Sequence, residues 1–245
     1  RRHTRFRNVT GVQTCALPIS IIASFAIDKH TLTVSAVNGT ITRSPDLAMY
    51  NYGDSVQLTA IPSVGYNFVN WSGNASGSSN PISIRIDSNE TVTANFAINV
   101  YTLTINAVNG TVAKNPNQTN FNHGDSVRLT ASGNIGYHFT SWSGDVTSSS
   151  NPLMVTMTGN KNITANFAIN VYSLTVNAVN GTVTKTPNQT IFNHGDTVRL
   201  SASGNTGYHF TSWSGDVISN SNPITVTMDA NKNITANFVD RKSTR

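Results

Sequence analysis

Apolar and polar residues alternate along most of this chain with the period of a strand that buries one face. Tyr101, Leu103 and Ile105 alternate with Thr102, Thr104 and Asn106, a repeat of two rather than 3.6. The run reaches Asn109-Gly110 before Thr111 to Ala113 starts back, and Asn-Gly between strands predicts a type I′ hairpin, which needs positive φ at both central residues. A polar loop (Asn115 to Asn122) and a Gly124-Asp125 turn lead into Ser126 to Ser132, where Val127, Leu129 and Ala131 share a face. Gly136 opens the strand Tyr137 to Trp142, and a Ser/Gly/Asn/Pro linker (Ser143 to Pro152) precedes a final hairpin, Leu153 to Met157 and Asn162 to Phe167, turning at Thr158 to Lys161. This pattern predicts about six short strands and no helix.

The pattern recurs. GYHFTSWSGDV occupies Gly136 to Val146 and again Gly207 to Val217, 71 residues on, and a weaker copy, GYNFVNWSGN, begins 71 residues earlier at Gly65. The same offset links the three Asn-Gly-Thr triplets at Asn38, Asn109 and Asn180, and the Gly-Asp pairs at Gly53, Gly124 and Gly195. The expected organisation is three modules, residues 28–98, 99–169 and 170–239, preceded at 21–27 by the tail of another repeat. IIASFAI at 21–27 aligns with VTANFAI and ITANFAI, the closing strands of the first two modules, so the parent protein is expected to extend in both directions.

The two ends read differently. DRKSTR (240–245) can be encoded by a DNA string whose reverse complement translates as TCALPI, residues 14–19, the run that holds the only cysteine, Cys15. A ligated adapter produces such antisense ends and a natural gene has no reason to, and RRHTR with VTGVQTCALPI also resembles a translated sequencing-library adapter. Residues 1–20 and 240–245 are therefore expected to be non-native. Removing them takes Lys plus Arg from 16 to 9 and acids from 11 to 10, so net charge moves from +5 to −1. The nucleic-acid and anionic-membrane partners that the basic excess suggests lose their basis. No stretch approaches the roughly eighteen apolar residues that a membrane span needs.

Module size decides how the aromatic residues are used. A chain of about 60 residues buries only about 60% of its unfolded surface, and one aromatic ring contributes at most about 4 to 6 kcal/mol when buried. Tyr137, Phe139 and Trp142 are therefore expected to anchor the core of the second module. The alternative is that Trp71, Trp142 and Trp213 lie exposed and stack on sugar rings. Tyr137 and Phe139 share a face, but Trp142 stands three beyond Phe139, out of phase with it.

Other chemistry is sparse. His123-Gly124-Asp125 and His194-Gly195-Asp196 set an imidazole near a carboxylate, but the first module has Tyr52-Gly53-Asp54, and zinc takes three or four ligands. His138 and His209 alternate with core aromatics and are expected to face solvent. Asp145 and Asp216 follow Ser-Gly and are expected to bond to the backbone of a turn, with a calcium site as the alternative. The Asn-X-Ser/Thr triplets are expected to be strand edges rather than glycan acceptors. No catalytic constellation can be assembled, no cofactor is implied, and the chain is expected not to be an enzyme.

The order of YTLTI, NGTV, GDSVRLTA, GYHFTSWSGD and NPLMVTM…KNITANF resembles the divergent internalin-type B-repeat of large bacterial secreted and surface proteins. The resemblance implies an all-β, β-grasp-like module in tandem, with a small Ig-like sandwich as the alternative. It also implies an extracellular or cell-surface location, a spacer, stalk or adhesion role, and as partners the neighbouring repeats, unseen domains of the same chain, or cell-wall or host carbohydrate and protein. Two positions depart from the pattern: His30 stands where the later modules have Tyr101 and Tyr172, and Asn74 where they have Asp145 and Asp216. A less tightly packed first module is expected from these.

Overall fold

The computed structural model describes residues 22–244; the adapter reading of residues 1–20 falls outside them. Among the described residues every regular element is a strand except a 3-10 turn at Arg241–Thr244. The first module contains β1 (Lys29–His30), β2 (Leu32–Ala36), β3 (Gly39–Ser44), β4 (Tyr50–Asn51), β5 (Ser55–Pro62), β6 (Tyr66–Gly73), β7 (Ile82–Arg85) and β8 (Glu90–Ile98). The second contains β9 (Val100–Ala107), β10 (Gly110–Asn115), β11 (Asn120–Asn122), β12 (Ser126–Gly133), β13 (Tyr137–Gly144), β14 (Leu153–Thr156) and β15 (Lys161–Ile169). The third repeats this as β16 (Val171–Ala178), β17 (Gly181–Thr186), β18 (Ile191–Asn193), β19 (Thr197–Gly204), β20 (Tyr208–Gly215), β21 (Ile224–Thr227) and β22 (Lys232–Asp240). The chain forms two compact units, one of residues 22–61 with 68–95 and the other of residues 62–67 with those from 96 onward.

In the second module β11, β9, β15 and β13 form one sheet in that order, and β10, β12 and β14 form another. The third module repeats both sheets. Consecutive strands of these modules never pair, because each turn carries the chain from one sheet to the other. The alternating pattern therefore predicts strands correctly but not the hairpins at Asn109-Gly110 and Thr158 to Lys161. A strand with one apolar face needs a second layer to cover it, and alternating the layers places every such face against the common core. Asn109 alone takes positive φ, 64°, and Gly110 already belongs to β10. Glycine is needed there because a Cβ would overlap the Phe167 ring.

The core of the second module lies between its sheets. Leu103, Ile163, Ala165 and Trp142 come from the four-stranded sheet, and Val127, Leu129, Leu153 and Val155 from the three-stranded one. The third module repeats this set. One strand escapes the sequence pattern. The polar loop at 115–122 contains β11, which pairs Phe121 opposite Tyr101 and buries the Phe121 ring in the core. Each later module thus has seven strands where about six are expected.

The first and last strands of a module lie side by side and parallel, Leu103 to Ala107 opposite Lys161 to Ala165. The same pairing joins β2 with β8 and β16 with β22. The four-stranded sheet is consequently mixed, unlike the wholly antiparallel sheets of an Ig-like sandwich. Where β14 ends, a side chain continues its ladder: the Ala131 N–H donates to Asn151 Oδ1 at 2.9 Å and Asn151 Nδ2 donates to the Ala131 carbonyl at 2.8 Å. Asn80 and Asn222 do the same for Ala60 and Ala202.

Candidate functional site

The repeated tryptophans are the first candidates, and the backbone of β13 explains their position. Its pairing with β15 slips by one residue between Phe139 and Ser141, leaving Thr140 as a bulge. The extra residue resets the period of two, so Phe139 and Trp142 both face inward despite their odd spacing. Their ring centroids lie 5.1 Å apart, and the 5.2 Å separation of Phe210 and Trp213 repeats the contact beside the same bulge. Trp71, Trp142 and Trp213 are 2%, 1% and 0% exposed. Each indole N–H donates to a serine carbonyl, of Ser79, Ser150 and Ser221 respectively, at 2.9 Å. Both faces and the polar edge of each ring are therefore committed inside the module, and the stacking role written for these residues has no open ring to work with. Burial of the rings follows from the area argument.

The carboxylates turn out to be structural bonds. Asp125 Oδ2 accepts the Asn122 N–H at 2.8 Å, closing the turn between β11 and β12, and Asp54 and Asp196 repeat the bond. Asp145 bonds to the backbone as expected, but not within its own turn. Its Oδ2 accepts the N–H of Asn162, 17 residues away, while its own N–H donates to the Asn162 carbonyl at 3.0 Å. This reciprocal pair ties the end of β13 to the start of β15. Asp216 does the same with Asn233. In the first module Asn74 Oδ1 accepts the Thr91 N–H at 2.9 Å and its N–H donates to the Thr91 carbonyl at 2.9 Å, so the Asn-for-Asp exchange keeps both bonds. No group of three or more His, Cys, Asp and Glu side chains is placed to hold a metal among the described residues. Charge is thin throughout: Lys232, bonded to Asp229, holds that exposed carboxyl below its usual range.

The histidines of the His-Gly-Asp turns meet the linkers instead of a metal. Asn170, the single residue between β15 and β16, donates its N–H to the Gly136 carbonyl at 2.7 Å and accepts the His194 N–H at 2.8 Å. The His194 ring packs against Tyr172, centroids 6.0 Å apart, and lies where a Cβ on Gly136 would stand. Gly136 has φ of 81°, so it is glycine for two reasons. His138 extends outward as expected, but its Nδ1 sits 2.7 Å from Asn170 Oδ1 and joins the same network. The contacts recur within the second unit at Gly65, Asn99 and His123, with His123 against Tyr101. At the start of the first module the pair is exchanged: His30 packs against Tyr52 at 6.2 Å, and the Tyr52 N–H donates to the Asp28 carbonyl. His30 and Tyr52 are therefore one compensated swap rather than two separate departures, a relation invisible until β1 and β4 are seen to be neighbours.

At the far end Gly207 has nothing within 4 Å of its Cβ position, and the Arg241 N–H takes the bond to the Gly207 carbonyl that Asn170 gives to Gly136. These junctions are the part of the molecule that the motif search missed. Their signal was the coincidence, in every module, of a glycine at 65, 136 or 207 with an aromatic or histidine at 52, 123 or 194.

Comparison with known proteins follows the same division. Residues 30–100, 101–171 and 172–242 each match the family described as the divergent InlB B-repeat domain. No curated protein matches the chain. Among solved structures, the Bacillus anthracis TIE protein superposes with a TM-score of 0.42 at 9% identity, covering 85% of this chain and 49% of that one. The chain thus spans about half the length of that protein. With three consecutive matches running from residue 30 to residue 242, the chain belongs to the divergent InlB B-repeat family.

Proposed function

We propose that this chain is a non-catalytic repeat region of a larger bacterial extracellular or surface protein, serving as a spacer that sets the distance between flanking domains or between the cell surface and a partner. The observation that carries the reading is the invariance of the unit: every module spans 71 residues, and the linkers Asn99 and Asn170 are single residues between strands. A region whose residue types go into cores, turns and junctions, with few charges and no assembled reactive groups, is suited to holding position. Family membership supports the surface setting. The competing role, carbohydrate or host-surface binding through the repeated aromatics, needs rings open to solvent.

The test is labelling of intact cells carrying the gene with an antibody raised against the second and third modules. Staining that is lost on brief protease treatment of whole cells is the expected result. Staining only after lysis would overturn the reading.

A further inference from the structure

We infer that each module is a shear clamp, built to carry tension along the chain through its first and last strands. The inference rests on the spacer reading for its biological use, and on the sheet topology for its physics. Any pull transmitted along the polypeptide enters the second module at Val100, the start of β9, and leaves at Ile169, the end of β15. Those strands are adjacent and parallel, so their loaded ends project from opposite ends of the shared ladder, which runs from Leu103–Lys161 to Ala107–Ala165. Force then slides one strand along the other and strains every bond of the ladder together. In an antiparallel pair loaded at one end, the bonds would break in sequence, each bearing the whole load alone. Forced unfolding is governed by the barrier to rupture, and sharing the load raises that barrier.

The clamp is reinforced where the load enters. Asn160, just before β15, accepts the Thr102 N–H on its Oδ1 at 2.9 Å, bridging the two strands beyond the end of the backbone ladder. Asn89 holds Thr31 in the same way in the first module, and Asn231 holds Ser173 in the third. Further along, Asn106 Nδ2 donates to Asn162 Oδ1 at 2.7 Å. The clamp strands are also interior in their sheet, β9 flanked by β11 and β15 by β13, so neither is free to peel away. With one residue between successive modules, the strand that ends one clamp leads directly into the strand that begins the next.

Single-molecule force spectroscopy on the full chain, held by its two ends, tests this. The expected record shows one rupture per module, each releasing the contour of 71 residues, about 230–260 Å less the folded span. A second pulling geometry supplies the comparison. Handles on Ile135→Cys and Val171→Cys load β13 and β15 at the end where Tyr137 faces Ile169, which unzips their antiparallel ladder, and rupture is expected at a several-fold lower force. Asn160→Ala should lower the rupture force of the second module in the end-to-end geometry. Asn166→Ala, which removes bonds to Ser141 and Ser143 between β15 and β13 only, should leave that force unchanged.

Equal forces in the two geometries, or end-to-end unfolding in several small steps per module, would overturn the clamp. The force record is independent of where the protein resides. A strong clamp in a protein found only inside cells would sink the spacer reading alone, and a weak module on the cell surface would sink the clamp alone.

Discussion

At the residue scale, Trp142 owes its burial to one inserted residue. Without the bulge at Thr140 the strand would keep strict alternation and turn the ring to solvent. Trp142→Ala is expected to cost about 3–5 kcal/mol in urea unfolding of the chain, as aromatic truncations in cores do, and deletion of Thr140 to cost at least as much. A deletion that leaves stability unaltered would show that the bulge does not set the phase. The Asp145 bond gives a second, sharper test, because nature has made the conservative exchange in the first module. Asp145→Asn should stay within about 0.5 kcal/mol of the parent, whereas Asp145→Ala should lose about 1 kcal/mol, the usual net value of a hydrogen bond. The two substitutions together separate the bond from the charge. The core role of these aromatics was readable from composition, since a module this small has too few large side chains to leave them in water. Phe121 was not, because its neighbours are polar and a strand of three residues shows no periodicity.

At the scale of the element, the period of two reports which face of a strand is buried and nothing about which strand lies beside it. The strands of the second module were therefore legible from Tyr101 to Phe167, while their partners were not. Asn109-Gly110 has the composition of a hairpin, and the core overrode it by drawing β9 and β10 into opposite layers. The junction was illegible for the same reason, since Gly136 and His194 are brought together only by the fold. Glycine substitutions can measure what that meeting contributes. Gly136→Ala and Gly207→Ala both place an L residue at positive φ, a strain of about 1–2 kcal/mol. Only Gly136→Ala also drives a methyl into a histidine ring, and a further cost of about 1–3 kcal/mol is expected there. Adding His194→Ala should relieve that excess at position 136 and leave Gly207→Ala unaffected. Equal costs at the two glycines would mean that the linker contact is energetically idle.

At the scale of the whole molecule, pairing between strands that are never consecutive makes folding depend on distant parts of a module meeting. Such topologies fold in milliseconds to seconds rather than microseconds. The second and third modules add a kinetic hazard, because KNITANF closes both and either copy fits β9 or β16 in the same register. Refolding from denaturant is expected to show a slow phase from strands exchanged between modules. The phase should disappear when the closing strand of the third module is replaced by the first module's ETVTANF; its persistence would point to another cause. The same interchangeability has a consequence on the timescale of descent. Each core is assembled from residues inside one 71-residue period, and the contacts at Asn170 recur at Asn99. A recombination event that removes or adds a whole period leaves every core complete and every new neighbour already matched, whereas one of any other length cuts through a sheet. The reach of such a protein is therefore inherited in whole steps, and lineages that carry it should differ by the number of periods and not by their length.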